Sequence, residues 1–149
     1  MAYKRVDAGV LGYLGRALSL EMSAVQQFLT LSRLLRLRGF DDIASHFQKE
    51  ANEELGHADR IIGRMLVLGV APNMTHLRPA RLGESLPELM ASAELLENDI
   101  VSLYQQAVVH CQSIKDFDSH LFFDTLLKEE QQHASSYADW KQKLLSGHN

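Results

Sequence analysis

Three residues, Glu21, Glu54 and His57, recur 76 positions later as Glu97, Glu130 and His133, and in each set the second glutamate lies 33 positions after the first. Other positions follow the same shift: Phe47 with Phe123, Glu53 with Glu129, Ala58 with Ala134. Within each set the last two residues form Glu-x-x-His, a spacing that places both side chains on one face of a helix. The chain therefore reads as a duplicated helical hairpin. Each half supplies one carboxylate from its first helix and a Glu-His pair from its second.

The punctuation agrees. All three prolines lie between Pro72 and Pro87, which leaves a long uninterrupted stretch on either side. The first helix is expected from an N-cap at Asp7 to a stop at Gly39. The second runs from Asp41 or Asp42 to Gly69. Val70–Glu84, with Pro72, Asn73, Pro79 and Gly83, is a long connection. Ser85-Leu86-Pro87-Glu88 is a capping box with proline in the first turn, so the third helix opens there and fades near Gln112. The fourth begins between Asp116 and Ser119 and runs to about Leu145, before Gly147. At 1.5 Å per residue, each helix is about 40 Å long. Short links make helices one and two, and helices three and four, antiparallel neighbours. The long link can travel the length of a four-helix bundle, so the fold class is all-α.

Helical spacing shows where the acids point. Ala17, Leu18, Ala24, Val25 and Phe28 share the face of Glu21; Ala93, Ile100, Val101 and Tyr104 share that of Glu97. Glu54 sits with Glu50, Ala51, His57, Ala58 and Ile61, and Glu130 with Leu126, Leu127, His133, Ala134 and Tyr137. In each case an acid occupies a core slot. A carboxylate buried unpaired is several kcal/mol unfavourable, so four of them call for bound cations or protons. Two divalent ions would neutralise the four charges. Carboxylates bridge metals, and an imidazole on each side completes a site with open positions. Glu54 and Glu130 are assigned as bridges. Glu21 with His57, and Glu97 with His133, are the terminal ligands.

Composition narrows the rest. An apolar fraction of 46% with 23% charged residues is that of a globular chain, and 149 residues make one domain, 1–149. A net charge of −4 gives no general nucleic-acid binder; Arg33, Arg36 and Arg38 read as a solvated helix end. One cysteine, Cys111, excludes an internal disulfide and a cysteine-based metal site, and fits a buried thiol in the reducing cytoplasm. Lys4 and Arg5 precede a short apolar run, but Asp7 and Arg16 interrupt it, so neither a signal peptide nor a membrane span is expected. No serine- or cysteine-based hydrolytic arrangement and no glycine-rich phosphate loop is present.

The run Leu18-Ser19-Leu20-Glu21-Met22-Ser23-Ala24-Val25-Gln26-Gln27-Phe28, the run Glu54-Leu55-Gly56-His57-Ala58-Asp59-Arg60, and Glu130-Gln131-Gln132-His133 resemble bacterioferritin. The likeness extends over nearly the whole chain, including Leu68-Gly69-Val70-Ala71-Pro72-Asn73. It implies a ferritin-like bundle with one long crossover between helices two and three. It also implies a ferroxidase centre of two iron ions per chain, where Fe(II) is oxidised by O2 or H2O2 and stored as ferric mineral in a hollow cage. The ligands alone do not choose the metal, and Mn or Zn would also suit them.

Three positions depart from that family. Its haem is held between two subunits by a methionine directly after the motif glutamate; Leu55 stands there, so no haem is expected, and Met22 reads as a packing residue. A tyrosine is frequent two turns after the first-helix glutamate; Phe28 stands there, while the duplicated position carries Tyr104. Tyr104 is either a donor of an electron or hydrogen bond to the centre or an amphipathic core residue. Only 16 residues follow His133, enough to finish the fourth helix, whereas cage-forming members add a short helix there. An off-centre apolar strip of Leu18, Met22, Val25, Leu29, Leu55 and Ile62 predicts a homo-oligomer, a dimer at least, with a 24-subunit cage also open.

Glu53 and Glu129 are candidate hydrogen-bond partners of the opposite half's imidazole, with a solvated helix face as the alternative. Asp59 and Arg60 are expected in ion pairs on the helix surface or at a subunit interface. His46, His76, His110, His120 and His148 show no paired spacing and are expected in surface or capping roles. Two other functions fit the same residues: a dimeric di-iron oxidoreductase that consumes oxygen or peroxide without storing iron, and a bundle whose metals only stabilise it.

Overall fold

The computed structural model describes residues 5–74 and 76–146. Lys4, Gly147 and His148, named above, lie outside the described residues. Four helices form, α1 (Ala8–Leu37), α2 (Asp41–Val67), α3 (Leu86–Ser113) and α4 (Phe117–Ser146), with no strand among the described residues. α1 packs along α2, α3 along α4, and α1 against α3. No described helix is long and apolar enough to cross a membrane.

Local chemistry sets the helix ends. Asp7 accepts a hydrogen bond from the Val10 amide at 3.1 Å and caps α1. At the other end Gly39 takes φ +86°, and the Phe40 amide returns to the Leu35 carbonyl at 2.9 Å. Gly69 repeats that closure at α2, with φ +79° and Val70 bonded to Met65. The capping box at Ser85 is present, with Glu88 donating its amide to the Ser85 hydroxyl oxygen. Asp116 caps α4 by accepting from both the amide and the hydroxyl of Ser119.

α3 ends on the same closure as α1 and α2, but the left-handed residue is Lys115, at φ 60°. A side chain there is disfavoured by about 1 kcal/mol relative to glycine. Lys115→Gly is therefore expected to stabilise the fold by about 0.5–1 kcal/mol, a rise of a few degrees in melting temperature. A lowered melting temperature would show that the lysine stem makes a compensating contact.

The crossover, residues 68–85, is tied to α1 by two polar residues of an otherwise apolar face. Gln27 donates its amide to the Arg81 carbonyl at 2.7 Å and accepts from the Arg81 amide at 2.6 Å. The Ser23 hydroxyl accepts from the Arg78 amide at 2.9 Å. These bonds satisfy backbone groups that a long connection would otherwise leave unpaired.

Aromatic residues close the core on both sides of the glutamates. Phe28, Phe47 and Tyr137 form one group, with ring centroids 5.8 and 6.4 Å apart in succession. Tyr104, Phe123 and Tyr13 form the other, at 6.3 and 6.4 Å. The duplication is visible here, since Phe28 answers Tyr104 and Phe47 answers Phe123. The expected apolar strip is narrower than its sequence pattern. Leu18 is buried in the core, Met22, Val25 and Ile62 are half-buried, and only Leu29 and Leu55 are exposed. Cys111 is buried at the α3 end, and burial pushes its thiol up to about 11, which leaves it protonated and inert.

Candidate metal centre

Glu21 from α1, Glu54 and His57 from α2, Glu97 from α3, and Glu130 and His133 from α4 meet in the middle of the bundle. Glu21, Glu54 and Glu130 are fully buried, Glu97 and His57 nearly so. The structure brings all six sequence candidates together.

They are interleaved across the two halves. His57 Nδ1 lies 2.7 Å from Glu130 Oε1, 3.4 Å from Glu21 Oε1 and 3.8 Å from Glu54 Oε1. His133 Nδ1 lies 3.0 Å from Glu54 Oε1 and 3.8 Å from Glu130 Oε2. Each imidazole thus faces the glutamate of the other half's motif more closely than its own. The two rings stack, with centroids 5.7 Å apart and planes 9° from parallel. Their outer nitrogens are held as well. His133 Nε2 is 2.6 Å from Glu53, and His57 Nε2 is 3.5 Å from Glu129. Glu53 and Glu129 thus place a carboxylate beside the outer nitrogen of the opposite imidazole, a position from which a ring can be oriented. Arg60 pairs with Glu129 at 2.6 Å, within the chain rather than across a subunit boundary.

The site's electrostatics follow from crowding acids away from water. Burial, then the charge of Glu130, raises the Glu21 carboxyl. Burial, with Glu21 as neighbour, holds Glu54 well above the carboxylate range, and burial with Glu130 does the same to Glu97. Glu130 goes the other way. Burial pushes it up, but hydrogen bonds from His133 and His57 outweigh that and hold it far below the usual value. Burial pulls the His57 imidazole down, and its bonds to Glu130 and Glu21 overcome this, raising it to about 10. Burial and crowding thus favour protons on Glu54 and Glu97, and the carboxylate partners favour them on both imidazoles, in place of the charge that cations would bring. Glu21, Glu54, Glu97 and Glu130 each keep Oε2 buried without a hydrogen-bond partner. Such atoms are rare in a folded interior and are the donor set a hard divalent cation takes.

Two sets of ligand atoms lie close enough to hold an ion. One is Glu21, Glu54, His57 and Glu130; the other is Glu50, Glu54, Glu97 and His133. Glu54 belongs to both. The second set departs from the symmetric expectation, because Glu50 stands where Glu130 was assigned. Glu50 is buried, and burial raises its carboxyl to about 7. The signal for it was in the sequence, since it lies one turn before Glu54 on the same face. Its counterpart in the repeat is Leu126, so the repeat itself gives no sign of it. His46, expected in a surface or capping role, is placed differently. It lies half-buried against Phe47 and Trp140, 3.9 Å from Glu50, with Nε2 lacking a hydrogen-bond partner. His110, by contrast, bonds Asp7, the residue that caps α1, at 2.6 Å.

A four-helix bundle with one long crossover, a glutamate from each helix and a histidine from α2 and from α4 at its centre defines a protein of the ferritin-like class. The model of the ferritin-like domain matches residues 11–145. The bacterioferritin of Rhodobacter capsulatus is 35% identical over 127 residues, which cover 85% of this chain and 79% of that protein. The bacterioferritin of Brucella melitensis is 32% identical over 83% of this chain and 77% of its own length. The solved structure of the Rhodobacter capsulatus protein, described as having a metal-free dinuclear site and haem iron in a crystallographic special position, superposes with a TM-score of 0.85. It is 33% identical and covers 91% of this chain and 84% of that one. The chain belongs to the bacterioferritin family.

Proposed function

We propose that this protein oxidises Fe(II) at a two-iron centre within each chain, with O2 or H2O2 as oxidant, and stores the ferric product. The observation that carries this reading is the buried set of Glu21, Glu54, His57, Glu97, Glu130 and His133, whose four glutamates each keep one oxygen without a hydrogen-bond partner. Glu54, common to both ligand sets, would bridge two ions, with Glu21, His57 and Glu130 on one and Glu50, Glu97 and His133 on the other. Two bound Fe(II) ions would supply the electrons for the oxidant.

The residues supply the remaining requirements. Glu130, held ionised by two imidazoles, is ready to accept a cation, and ion entry would displace protons from His57 and His133. Glu53 and Glu129, beside the outer nitrogens, would hold the rings with Nδ1 toward the centre. The aromatic groups on either side exclude water and strengthen each electrostatic contact. The membership in the bacterioferritins supports iron as the substrate, a homo-oligomeric assembly and a place in the reducing cytoplasm; the exposed Leu29 and Leu55 support assembly through the α1 and α2 side.

Haem does not fit the position its family would use. Leu55 is about half exposed on α2 and carries no donor atom, and Met22 packs against the core from α1. Protein produced with ample haem is expected to show no Soret absorption after purification; an intense band at one haem per two chains would contradict this.

The function is tested by titrating metal-free protein with Fe(II) in air and counting iron retained per chain after desalting. Retention far above about two ions per chain, the capacity of one bundle site, is the expected result and means storage. Saturation near that value would identify a non-storing di-iron oxidase. No retained iron would refute the iron reading.

A further inference from the structure

The internal duplication makes departures from it informative. Two residues that touch the cluster have no equivalent in the other half: Tyr104, whose counterpart is Phe28, and Glu50, whose counterpart is Leu126. They fall on opposite sides of the centre. Tyr104 is fully buried and donates its hydroxyl hydrogen to Glu21 Oε1 at 2.7 Å, fixing one carboxylate of the His57 set. Phe28 can offer Glu97 no such bond. Glu50 joins the His133 set, and its Oε2 lies 3.6 Å from His133 Nδ1 without a hydrogen-bond partner. Leu126 adds nothing to the His57 set.

The surroundings differ in the same sense. A polar cavity of about 380 Å³, lined by His46, Glu50, Glu53, Glu129, His133 and Trp140 among others, reaches the His133 side. None of Glu21, Glu54, His57 and Glu130 lines it. The His57 side chain is 6% exposed and that of His133 14%.

We infer that the two metal positions are unequal: the His57 position retains its ion, while the His133 position exchanges its ion with the polar cavity through Glu50. This rests on the reading of the cluster as a two-metal centre. A carboxylate locked by Tyr104 cannot swing away, so an ion on Glu21 leaves only after that hydrogen bond breaks. A fifth carboxylate with a free oxygen can take hold of an ion before Glu97 and His133 release it, which lowers the barrier to exchange. Tyr104 acts here as a positioning residue.

The experiment loads metal-free protein with two Co(II) per chain, adds excess EDTA, and follows the Co(II) d–d absorption together with cobalt left on the protein. One ion per chain should leave quickly and the other about ten times more slowly or slower still, the scale set by groups that orient metal ligands. Glu50→Leu, which installs the counterpart residue, should slow the fast phase about tenfold; Glu50→Gln, which keeps the side-chain shape, should do the same if the leucine variant folds poorly. Tyr104→Phe should accelerate the slow phase while two ions still bind. Release of both ions in a single phase would overturn the inference and leave the two-metal reading intact. So would two phases that neither Glu50→Gln nor Tyr104→Phe alters. Protein that binds no Co(II) would overturn the two-metal reading itself.

Discussion

Glu54→Gln is expected to reduce bound iron from about two ions to less than one per chain and to slow Fe(II) oxidation by about 100-fold or more. The basis is geometric. Glu54 is the only residue shared by both ligand sets, and it is fully buried with Oε2 unpartnered. Groups that merely orient a metal ligand already change affinity by about 10–100-fold, and a residue common to both ions must do at least as much. An amide keeps the shape but loses the charge and the second anionic oxygen, so it cannot bridge. The metal-free variant should fold as well as the parent, because a neutral residue among crowded carboxyls removes repulsion rather than packing. Iron content and oxidation rate measured on the same preparation check this. Unchanged stoichiometry would remove Glu54 from the centre.

The second large effect is on stability against pH. Glu50, Glu54 and Glu97 have folded-state values raised by burial, and His57 and His133 are raised by their carboxylate partners despite burial. For each of them the folded, metal-free chain holds a proton that the unfolded chain has released. The folded state therefore binds more protons, and its stability falls as pH rises through the folded values. The carboxyl contribution begins to be lost above 4.5, and the imidazole contribution above 6.5 and up to about 10 for His57. Glu130 has the opposite sign: its contribution is present above 4.5 and is lost progressively as pH falls below that.

Glu50 alone, raised from 4.5 to about 7, corresponds to roughly 3 kcal/mol at about 1.4 kcal/mol for each pH unit. For a chain of this size that is a fall of about 10 °C in melting temperature between pH 5 and pH 8. Divalent metal replaces those protons. Bound Fe(II) under anaerobic conditions, or Co(II), should raise the melting temperature, and more so at pH 8 than at pH 5. Calorimetry with and without metal decides it. A metal-free protein that grows more stable from pH 5 to pH 8, or one indifferent to metal, would mean that the buried acids are not the groups that govern its stability.

Much of this protein was legible in its sequence. The four helices begin and end within a residue or two of the caps, because Asp7, Ser85, Gly39 and Gly69 act on backbone groups only a few residues away. The glutamate and histidine of each motif share a helix face for the same local reason, and the repeat at 76 residues revealed that two hairpins supply equivalent sets. Apolar neighbours at helical spacing marked all four glutamates as inward-facing.

What the helices do to one another lies beyond local spacing. Only the packed bundle shows that His57 faces Glu130 and His133 faces Glu54, since this depends on the rotation and axial offset of α2 against α4. The same offset brings Glu50 into the His133 set and carries the Tyr104 hydroxyl across to Glu21, contacts between residues far apart in the chain. A repeat in sequence predicts a symmetric centre. The side chains that break the symmetry do so by distances of a few ångströms, which tertiary packing alone decides.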